Sequence, residues 1–197
     1  SDVCSSDLIE AIAREKGHEI ILRFSSSNRG ELTAASLSNA DVAIEFSQPA
    51  VAFENVSICL DANIPVVCGT TGWNDQLPVA MEKCLAQKGA FLYASNFSIG
   101  VNIFFVLNEQ LAKMSNRFPI YPDISITETH HTRKLDAPSG TAVTLANGIL
   151  ENITAYKNWK NFRGEKTPVS QNGGSLGDVL PVYSIRKGDV AGLHEIC

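Results

Sequence analysis

The sequence predicts an α/β protein whose first half forms a parallel sheet covered by helices. Short apolar runs, among them DVAIEF, IPVVCG and AFLYAS, alternate with helical patterns. This alternation is typical of parallel strand–helix–strand units. The run IPVVCG is almost entirely apolar, as strands covered on both faces tend to be. After Asn96 the pattern changes, so we expect a second domain and predict domains at 1–97 and 98–197.

Each element of the first half has its own signal. Residues 8–17 show helical spacing of apolar side chains and end at Gly17, a residue type that often terminates helices. Pro49 suits the first turn of the next helix. The predicted order is a helix at 8–17, a strand at 18–24, a polar loop at 25–30, a strand at 41–46, a helix at 49–62, a strand at 64–69, a helix at 77–89 and a strand at 90–95.

The second half is predicted to combine longer helices with shorter strands. Ser139 is placed as the N-cap of a helix, because its hydroxyl can accept a hydrogen bond from the first turn. The polar, Gly-containing stretch from Trp159 to Gly174 predicts an exposed loop. The predicted elements are a helix at 98–114, a strand at 123–129, a helix at 139–153 and two short strands within 178–196.

Composition excludes several classes of protein. The net charge of −5 argues against a general nucleic-acid binder, which needs an excess of Lys and Arg. No run approaches the length of a membrane span, and the first residues do not resemble a secretory signal. The five cysteines are widely spaced, and Cys59 and Cys68 lie in apolar runs, so we expect buried thiols in the cytoplasm.

Both ends of the sequence predict a truncated chain. The first eight residues, SDVCSSDL, are polar and do not have the pattern of a strand, yet a helical pattern begins at Leu8. The last residues, GLHEIC, stop in what we interpret as the middle of a strand.

Three loops follow predicted parallel strands and are candidates for one binding crevice. In open parallel sheets, ligands bind beyond the carboxyl ends of the strands. The segment GTTG at 69–72 follows one strand, SNFSIG at 95–100 overlaps the end of another, and Phe46-Ser47 follows a third. Glycines at 69 and 72 would let a ligand approach the backbone closely. The alternative for GTTG is a tight turn before Trp73.

The segment ETHHTRKLDAPSG, residues 128–140, allows three interpretations. A metal site is disfavoured, because His130 and His131 leave a strand on opposite faces and no further ligand stands at helical spacing. A solvated polar turn and an anion-binding catalytic loop both remain open. The loop is favoured by the predicted helix start at Ser139-Gly140-Thr141, whose free N–H groups can bind a carboxylate. Lys134 would add a cation, and a histidine nearby suits proton transfer.

These motifs resemble the 4-hydroxy-tetrahydrodipicolinate (dihydrodipicolinate) reductase family. The resemblance is carried by E-x-HH-x-x-K-x-DAPSGTA at 128–142, and by IEFSQP, VVCGTTGW and ASNFSIGVN in the same order along the chain. It implies a Rossmann-like dinucleotide-binding domain followed by a mixed-sheet α/β domain for substrate binding and oligomerisation, usually in a homotetramer. It also implies an oxidoreductase of lysine and diaminopimelate biosynthesis that uses NADH or NADPH.

The resemblance also implies roles for individual residues. His130 would be the general acid/base and Lys134 the proton donor. His131 would hold one carboxylate of the dicarboxylate substrate, and Ser139, Gly140 and Thr141 would hold the other. No residue is assigned to a metal. The residues implied to contact the cofactor are Gly69, Thr70, Thr71, Ala94, Ser95, Asn96, Phe97, Phe46 and Ser25.

Two departures from the family pattern leave alternatives open. The sequence contains no G-x-G-x-x-G phosphate loop, which the family pattern places before Leu8. Where an acidic residue would bind the ribose, the chain has Phe24-Ser25-Ser26 with Arg29 nearby, which makes NADPH use conceivable. The alternatives are a non-catalytic dicarboxylate-binding remnant and another amino-acid-linked nicotinamide dehydrogenase.

Overall fold

The computed structural model describes residues 5–118, 124–164 and 177–197. The chain forms two compact units, Ser1–Ser95 and Asn96–Cys197. Each unit contains its own sheet and its own hydrophobic core. The predicted α/β fold class is confirmed.

The first unit is a three-stranded parallel sheet with helices between the strands. Strands β1 (Ala43–Glu45), β2 (Val66–Cys68) and β3 (Phe91–Tyr93) lie in the order β1-β2-β3, with Ala43 opposite Val66 and Val66 opposite Phe91. The helices of this unit are α1 (Ser5–Glu15), α2 (Pro49–Asp61) and α3 (Leu77–Ala86). This is the Rossmann-like arrangement that the alternating pattern predicts.

The core of the first unit lies around β2 and the buried face of α2. Pro49 stands at the start of α2, where its missing N–H is not needed. Ala52, Val56 and Leu60 follow at helical spacing and are at most 1% exposed. They pack in one cluster with Val66.

The strand predicted at residues 18–24 is wrong. This segment forms no strand, and the described sheet of the first unit ends at β1. A strand exists only as part of a hydrogen-bonded ladder, so an apolar run without a neighbouring strand does not become one. The side chains of Ile21 and Leu22 are correspondingly exposed, at 44% and 40%.

The second unit is a four-stranded mixed sheet packed against two helices. Its strands are β4 (Ile126–His130), β5 (Asn158–Arg163), β6 (Val179–Arg186) and β7 (Leu193–Ile196), in the order β5-β6-β4-β7. The pairs β5–β6 and β6–β4 are parallel, and β7 is antiparallel to β4. The helices are α4 (Ile99–Arg117) and α5 (Gly140–Leu150), and Leu145, Ile126 and Leu180 form the centre of the core.

The exposed loop predicted from Trp159 to Gly174 is wrong in its first part. Residues up to Arg163 belong to β5, which pairs along its length with β6. Its sequence NWKNFR is polar because exposed and half-buried side chains largely alternate along the strand. The remainder of the predicted loop, from 165 onward, lies outside the described residues.

Two further expectations concern thiols and membranes. Cys59, Cys68 and Cys84 are free and buried, as the apolar runs around Cys59 and Cys68 predict. Among the helices of residues 5–118, 124–164 and 177–197, none has the length and apolar character needed to cross a membrane.

Candidate functional site

At the carboxyl edge of the first unit's sheet, the loops after β1 and β2 are in direct contact. The ring of Phe46 lies so close to Gly69 that a Cβ built on Gly69 would stand 2.2 Å from it. Gly72 adopts a φ of +83°, a conformation that glycine takes without strain. Glycine is therefore required at position 69 by the close approach of the Phe46 ring, and at position 72 by the backbone conformation.

A buried polar network joins the same two loops. The N–H of Ser47 donates to Oγ1 of Thr70 at 2.7 Å. Glu45, 7% exposed, accepts hydrogen bonds from the hydroxyl of Ser47, the amide of Asn55 and the thiol of Cys68. Burial, together with the Glu45 carboxylate, raises the pKa of Cys68 to about 12, so the thiol stays protonated and donates. Thr70, a predicted cofactor residue, is thus bonded to Ser47, whose hydroxyl contacts the Glu45 carboxylate, a group for which no role was predicted from the sequence.

Ser25, the predicted ribose-side residue, lies in a local turn. Its N–H donates to Oδ1 of Asn28 at 2.7 Å. The guanidinium of Arg29 is 2.5 Å from Glu54 and also donates to Asn55. Arg29 is therefore paired with α2, and a 2′-phosphate near it would compete with Glu54.

The predicted cofactor residues Ala94, Ser95, Asn96 and Phe97 follow β3 in sequence. Asn96 opens the second unit, where its side-chain amide donates to Oγ1 of Thr141 at 3.2 Å. The structure thus brings one predicted cofactor residue against one predicted substrate residue. Phe97 is 45% exposed.

The second candidate centre is built on the end of β4. Glu128 and His130 lie two residues apart on one strand, so their side chains share a face. Glu128 is fully buried, and its Oε2 is 3.6 Å from Nε2 of His130. Nδ1 of His130 is 3.1 Å from the carbonyl oxygen of Ala191. If that nitrogen carries the proton, Nε2 presents its lone pair, and Nε2 is buried without a hydrogen-bond partner in the described structure.

His194 on β7 completes this centre. Its Nε2 is 3.0 Å from Oγ of Ser139 and 3.8 Å from Oε2 of Glu128. The rings of His130 and His194 meet edge to face, with centroids 5.2 Å apart. Ser139 caps α5 as predicted, since its Oγ accepts the N–H of Ala142 at 3.2 Å.

Arg186, at the end of β6, connects the buried carboxylate to the loop between β4 and α5. Its Nη2 donates to Oε1 of Glu128 at 3.1 Å and to the carbonyl of Asp136 at 2.5 Å, and its Nε donates to the carbonyl of Lys134 at 3.3 Å. The loop that carries Lys134 is therefore fastened through its backbone. The ammonium group of Lys134 pairs with Asp136 at 2.9 Å.

The electrostatics of the centre favour neutral histidines beside an ionised carboxylate. Burial would raise the pKa of Glu128, but hydrogen bonds from Ser139, Ser184 and Arg186 outweigh it and lower the pKa. Burial lowers the pKa of His130, which the Glu128 charge partly opposes. Burial and the neighbouring His130 lower the pKa of His194 to about 4.

The donor atoms of Glu128, His130 and His194 lie within 4.8 Å of one another, a spacing that a metal ion could also use. Arg186 already supplies positive charge to the carboxylate, and Ser139 donates to its other oxygen. His130 and His131 are adjacent in the sequence, but the histidine whose ring contacts His130 in the structure is His194.

Glu128 belongs to the sequence motif, but no role was predicted for it or for Arg186 and His194. Arg186 and His194 lie over 50 residues downstream, and only the ladders of β6 and β7 against β4 bring them to His130 and Glu128. The pairing of His130 with Arg186 and of Glu128 with His194 is a matter of strand register, which the sequence interpretation did not establish.

Comparison with known proteins agrees with this architecture. The family model for the N-terminus of dihydrodipicolinate reductase matches residues 5–97, and the model for its C-terminus matches residues 100–197. The chain is similar to 4-hydroxy-tetrahydrodipicolinate reductase of Christiangramia forsetii, with 40% identity over 95% of this chain and 73% of the relative. It is 34% identical to the protein of that name from Rickettsia rickettsii, over 96% of this chain and 73% of the relative.

A solved structure shows the same likeness. Dihydrodipicolinate reductase from Paenisporosarcina sp. TG-14, determined with dipicolinate bound, aligns with a TM-score of 0.55 and 32% identity, over 84% of this chain. This chain spans 61% of that protein's length. With two family models that together match nearly all of its residues, the chain belongs to the dihydrodipicolinate reductase family.

Proposed function

We propose that this protein catalyses the reduction of 4-hydroxy-tetrahydrodipicolinate by NADH or NADPH, giving tetrahydrodipicolinate and water. The single observation that supports it most directly is the arrangement around Glu128. The buried Glu128 carboxylate and Arg186 together contact His130, the loop that carries Lys134 and the capped start of α5. This step belongs to lysine and diaminopimelate biosynthesis.

The start of α5 is suited to one carboxylate of the substrate. The N–H groups of Gly140 and Thr141 belong to the first turn, where no intrahelical acceptor exists. The positive end of the helix dipole adds to the attraction. We assign this carboxylate to Ser139, Gly140 and Thr141, and the second carboxylate to His131, whose Nδ1 is buried and unpartnered among the described residues.

Proton transfer is assigned to His130 and Lys134. A neutral His130 whose Nε2 makes no hydrogen bond among the described residues can accept a proton there, and the imidazolium so formed is stabilised by Glu128 at 3.6 Å. Lys134, whose ammonium group lies 2.9 Å from Asp136, would donate a proton to the substrate, and a bound cofactor would supply the hydride. The hydride is the one element of the reaction that no side chain supplies.

The residues of the first unit fit a nicotinamide cofactor. Gly69 leaves no side chain between the backbone and the Phe46 ring, and Thr70 is fixed by Ser47 and by Trp73, whose ring nitrogen donates to the Thr70 carbonyl at 2.7 Å. We assign cofactor contacts to Gly69, Thr70, Thr71, Phe46, Ala94, Ser95, Asn96, Phe97 and Ser25. The 1–97 segment is accordingly proposed as the dinucleotide-binding domain and 98–197 as the substrate domain.

The test is a direct assay combined with cofactor titration. Oxidation of NADH and of NADPH is followed by its absorbance change with freshly generated 4-hydroxy-tetrahydrodipicolinate, and cofactor affinity is measured by fluorescence or calorimetry. Substrate-dependent oxidation of either cofactor supports the proposal. Dicarboxylate binding without binding of either cofactor would instead support the non-catalytic alternative.

The cytoplasmic location and a homotetrameric assembly are part of the same proposal. The buried free thiols are suited to a reducing compartment. The tetramer follows from the family resemblance, and light scattering on the purified protein measures it.

A further inference from the structure

The carboxylate of Glu128 lies where three segments of the candidate centre meet. It stands on β4, two residues before His130, and is 0% exposed. Its Oε2 accepts the backbone N–H of Ser139 at 2.9 Å, which fixes the start of α5. Its Oε1 accepts from Arg186 at 3.1 Å.

Arg186 extends this connection to the third segment. Its donors reach the carbonyl oxygens of Lys134 and Asp136, at 3.3 and 2.5 Å. One ion pair, between the buried Glu128 and the half-buried Arg186, therefore joins the strand of His130, the loop of Lys134 and the helix that begins after Ser139.

A contribution to stability alone does not explain this arrangement. Burying a carboxylate, here with a half-buried guanidinium as its partner, carries a desolvation penalty, and apolar side chains of the same volume often stabilise a fold as well or better. The charge here stands 3.6 Å from Nε2 of His130, which has no hydrogen-bond partner in the described part of the chain. An anion at that distance acts on the protonation of the imidazole as well as on its orientation.

We propose that Glu128 is a positioning residue that orients His130 and, through Arg186 and Ser139, holds the Lys134 loop and the carboxylate-binding amides in register with it. This inference rests on the proposed function for its catalytic meaning. The part of the inference that concerns Glu128 and the protonation of His130 can be tested without measuring turnover.

The groups that face His130 determine how removal of the Glu128 charge changes the pKa of its imidazole. The Glu128 carboxylate, on the same strand, favours protonation of the His130 imidazole, while burial and the cations nearby oppose it. The other groups that face the ring are Lys134 in the following loop, Arg186 on β6, the Ala191 carbonyl before β7 and His194 on β7. Replacing the carboxylate by a neutral amide therefore lowers the pKa of His130.

The experiment compares Glu128→Gln with the unaltered chain. The imidazole of His130 is titrated by NMR without substrate or cofactor, its signal being identified from the His130→Gln spectrum. Turnover and its pH dependence are measured separately. Glu151→Gln, the same change at an exposed position at the end of α5, is the matched control and leaves both unchanged.

We expect Glu128→Gln to move the His130 titration to lower pH, to move the corresponding limb of the rate profile the same way, and to reduce kcat by up to about 100-fold, since a positioned acid–base group contributes about 100- to 10,000-fold and Glu128 only orients and polarises it. An unchanged His130 titration in a folded variant overturns the proposal. If the Gln variant does not fold, Glu128→Asp takes its place, because it keeps the charge but withdraws it by one methylene; a His130 titration identical to wild type would then overturn it. An inactive wild-type chain would refute the proposed function. The NMR titration would still show whether Glu128 controls the protonation of His130.

Discussion

At the level of single residues, we assign the groups around Glu128 to two classes, those that would move protons and those that would hold them in place. His130 and Lys134 are assigned to the first class. His194, Ser139 and Arg186 contact the carboxylate or the loop and belong to the second. This division leads to three measurements on individual side chains.

Lys134→Ala is expected to lower kcat by about 100-fold or more while cofactor affinity stays nearly unchanged, since a positioned proton donor contributes about 100- to 10,000-fold. Steady-state kinetics and cofactor titration give the two quantities. Lys187→Ala, at an exposed lysine of the same unit, is the control. Equal losses in turnover and cofactor affinity would contradict the role of Lys134 as proton donor.

His131→Ala is expected to act mainly on substrate binding. Its imidazole is assigned to one substrate carboxylate and not to the transferred proton, so the substrate KM should rise about 10-fold, the size of one lost hydrogen bond to a charged group. Kinetics at saturating cofactor measure it. An unchanged KM would argue against this contact.

The pH dependence of stability should reveal His194. Its pKa is about 4 in the folded protein against 6.5 ordinarily, so between these values the unfolded chain binds more protons. The free energy of unfolding is therefore expected to fall as the pH decreases from 6.5 towards 4, by up to about 3 kcal/mol. The contribution is fully present above pH 6.5. His130, whose pKa is also lowered from 6.5, adds to the fall just below that pH, whereas Glu128, whose pKa is lowered from 4.5, acts only below 4.5.

Urea unfolding at a series of pH values measures this fall. His194→Gln should remove most of it, whereas His18→Gln, at an exposed histidine, should not. A pH dependence that is the same in wild type and His194→Gln would refute the assignment.

At the level of elements, the loops after the parallel strands are shaped by backbone requirements. The loop after β2 depends on the absence of a Cβ at Gly69, and the loop after β4 depends on the Ser139 cap and on Arg186. Composition predicted polar turns at both places. It did not predict the contacts that connect these turns to neighbouring elements.

Gly69→Ala is expected to destabilise the first unit by about 1–3 kcal/mol, because the new Cβ would stand 2.2 Å from the Phe46 ring and displace it. Cofactor affinity should fall as well, since both residues are assigned to that site. Unfolding in urea and cofactor titration measure the two effects. Gly30→Ala, whose Cβ would meet nothing within 4 Å, is the control, and equal behaviour of the two variants would contradict the argument.

At the level of the whole molecule, the two units have separate cores. Leu60 is central to the first and Leu145 to the second, and they are 1% and 0% exposed. Each Leu→Ala change should destabilise by about 2–5 kcal/mol. Hydrogen exchange resolved by peptide is expected to rise mainly in Ser1–Ser95 for Leu60→Ala and mainly in Asn96–Cys197 for Leu145→Ala. Equal loss of protection in both units from either variant would contradict this expectation.

The sequence predicted most of the helices and strands, because apolar side chains at period 3.6 or in continuous runs indicate the face that a helix or strand buries. It failed at residues 18–24 and at Asn158–Arg163. A strand is defined by its neighbour: the first segment has no partner in the described structure, while the second gains one in β6 despite its polar sequence.

The sequence by itself determined the fold class, the motif at 128–142 and the family resemblance, since these depend on residue order and local spacing. Only the tertiary structure decided what surrounds His130. Arg186 and His194 reach Glu128 through the register of β6 and β7 against β4, and Ser139 reaches it through the turn into α5. These contacts depend on hydrogen-bonded pairing between distant segments, which local pattern does not specify. The adjacent histidines of ETHHTRKLDAPSG are therefore unlike in their surroundings: His130 faces a buried carboxylate and a second histidine on β7, and His131 follows the end of the strand.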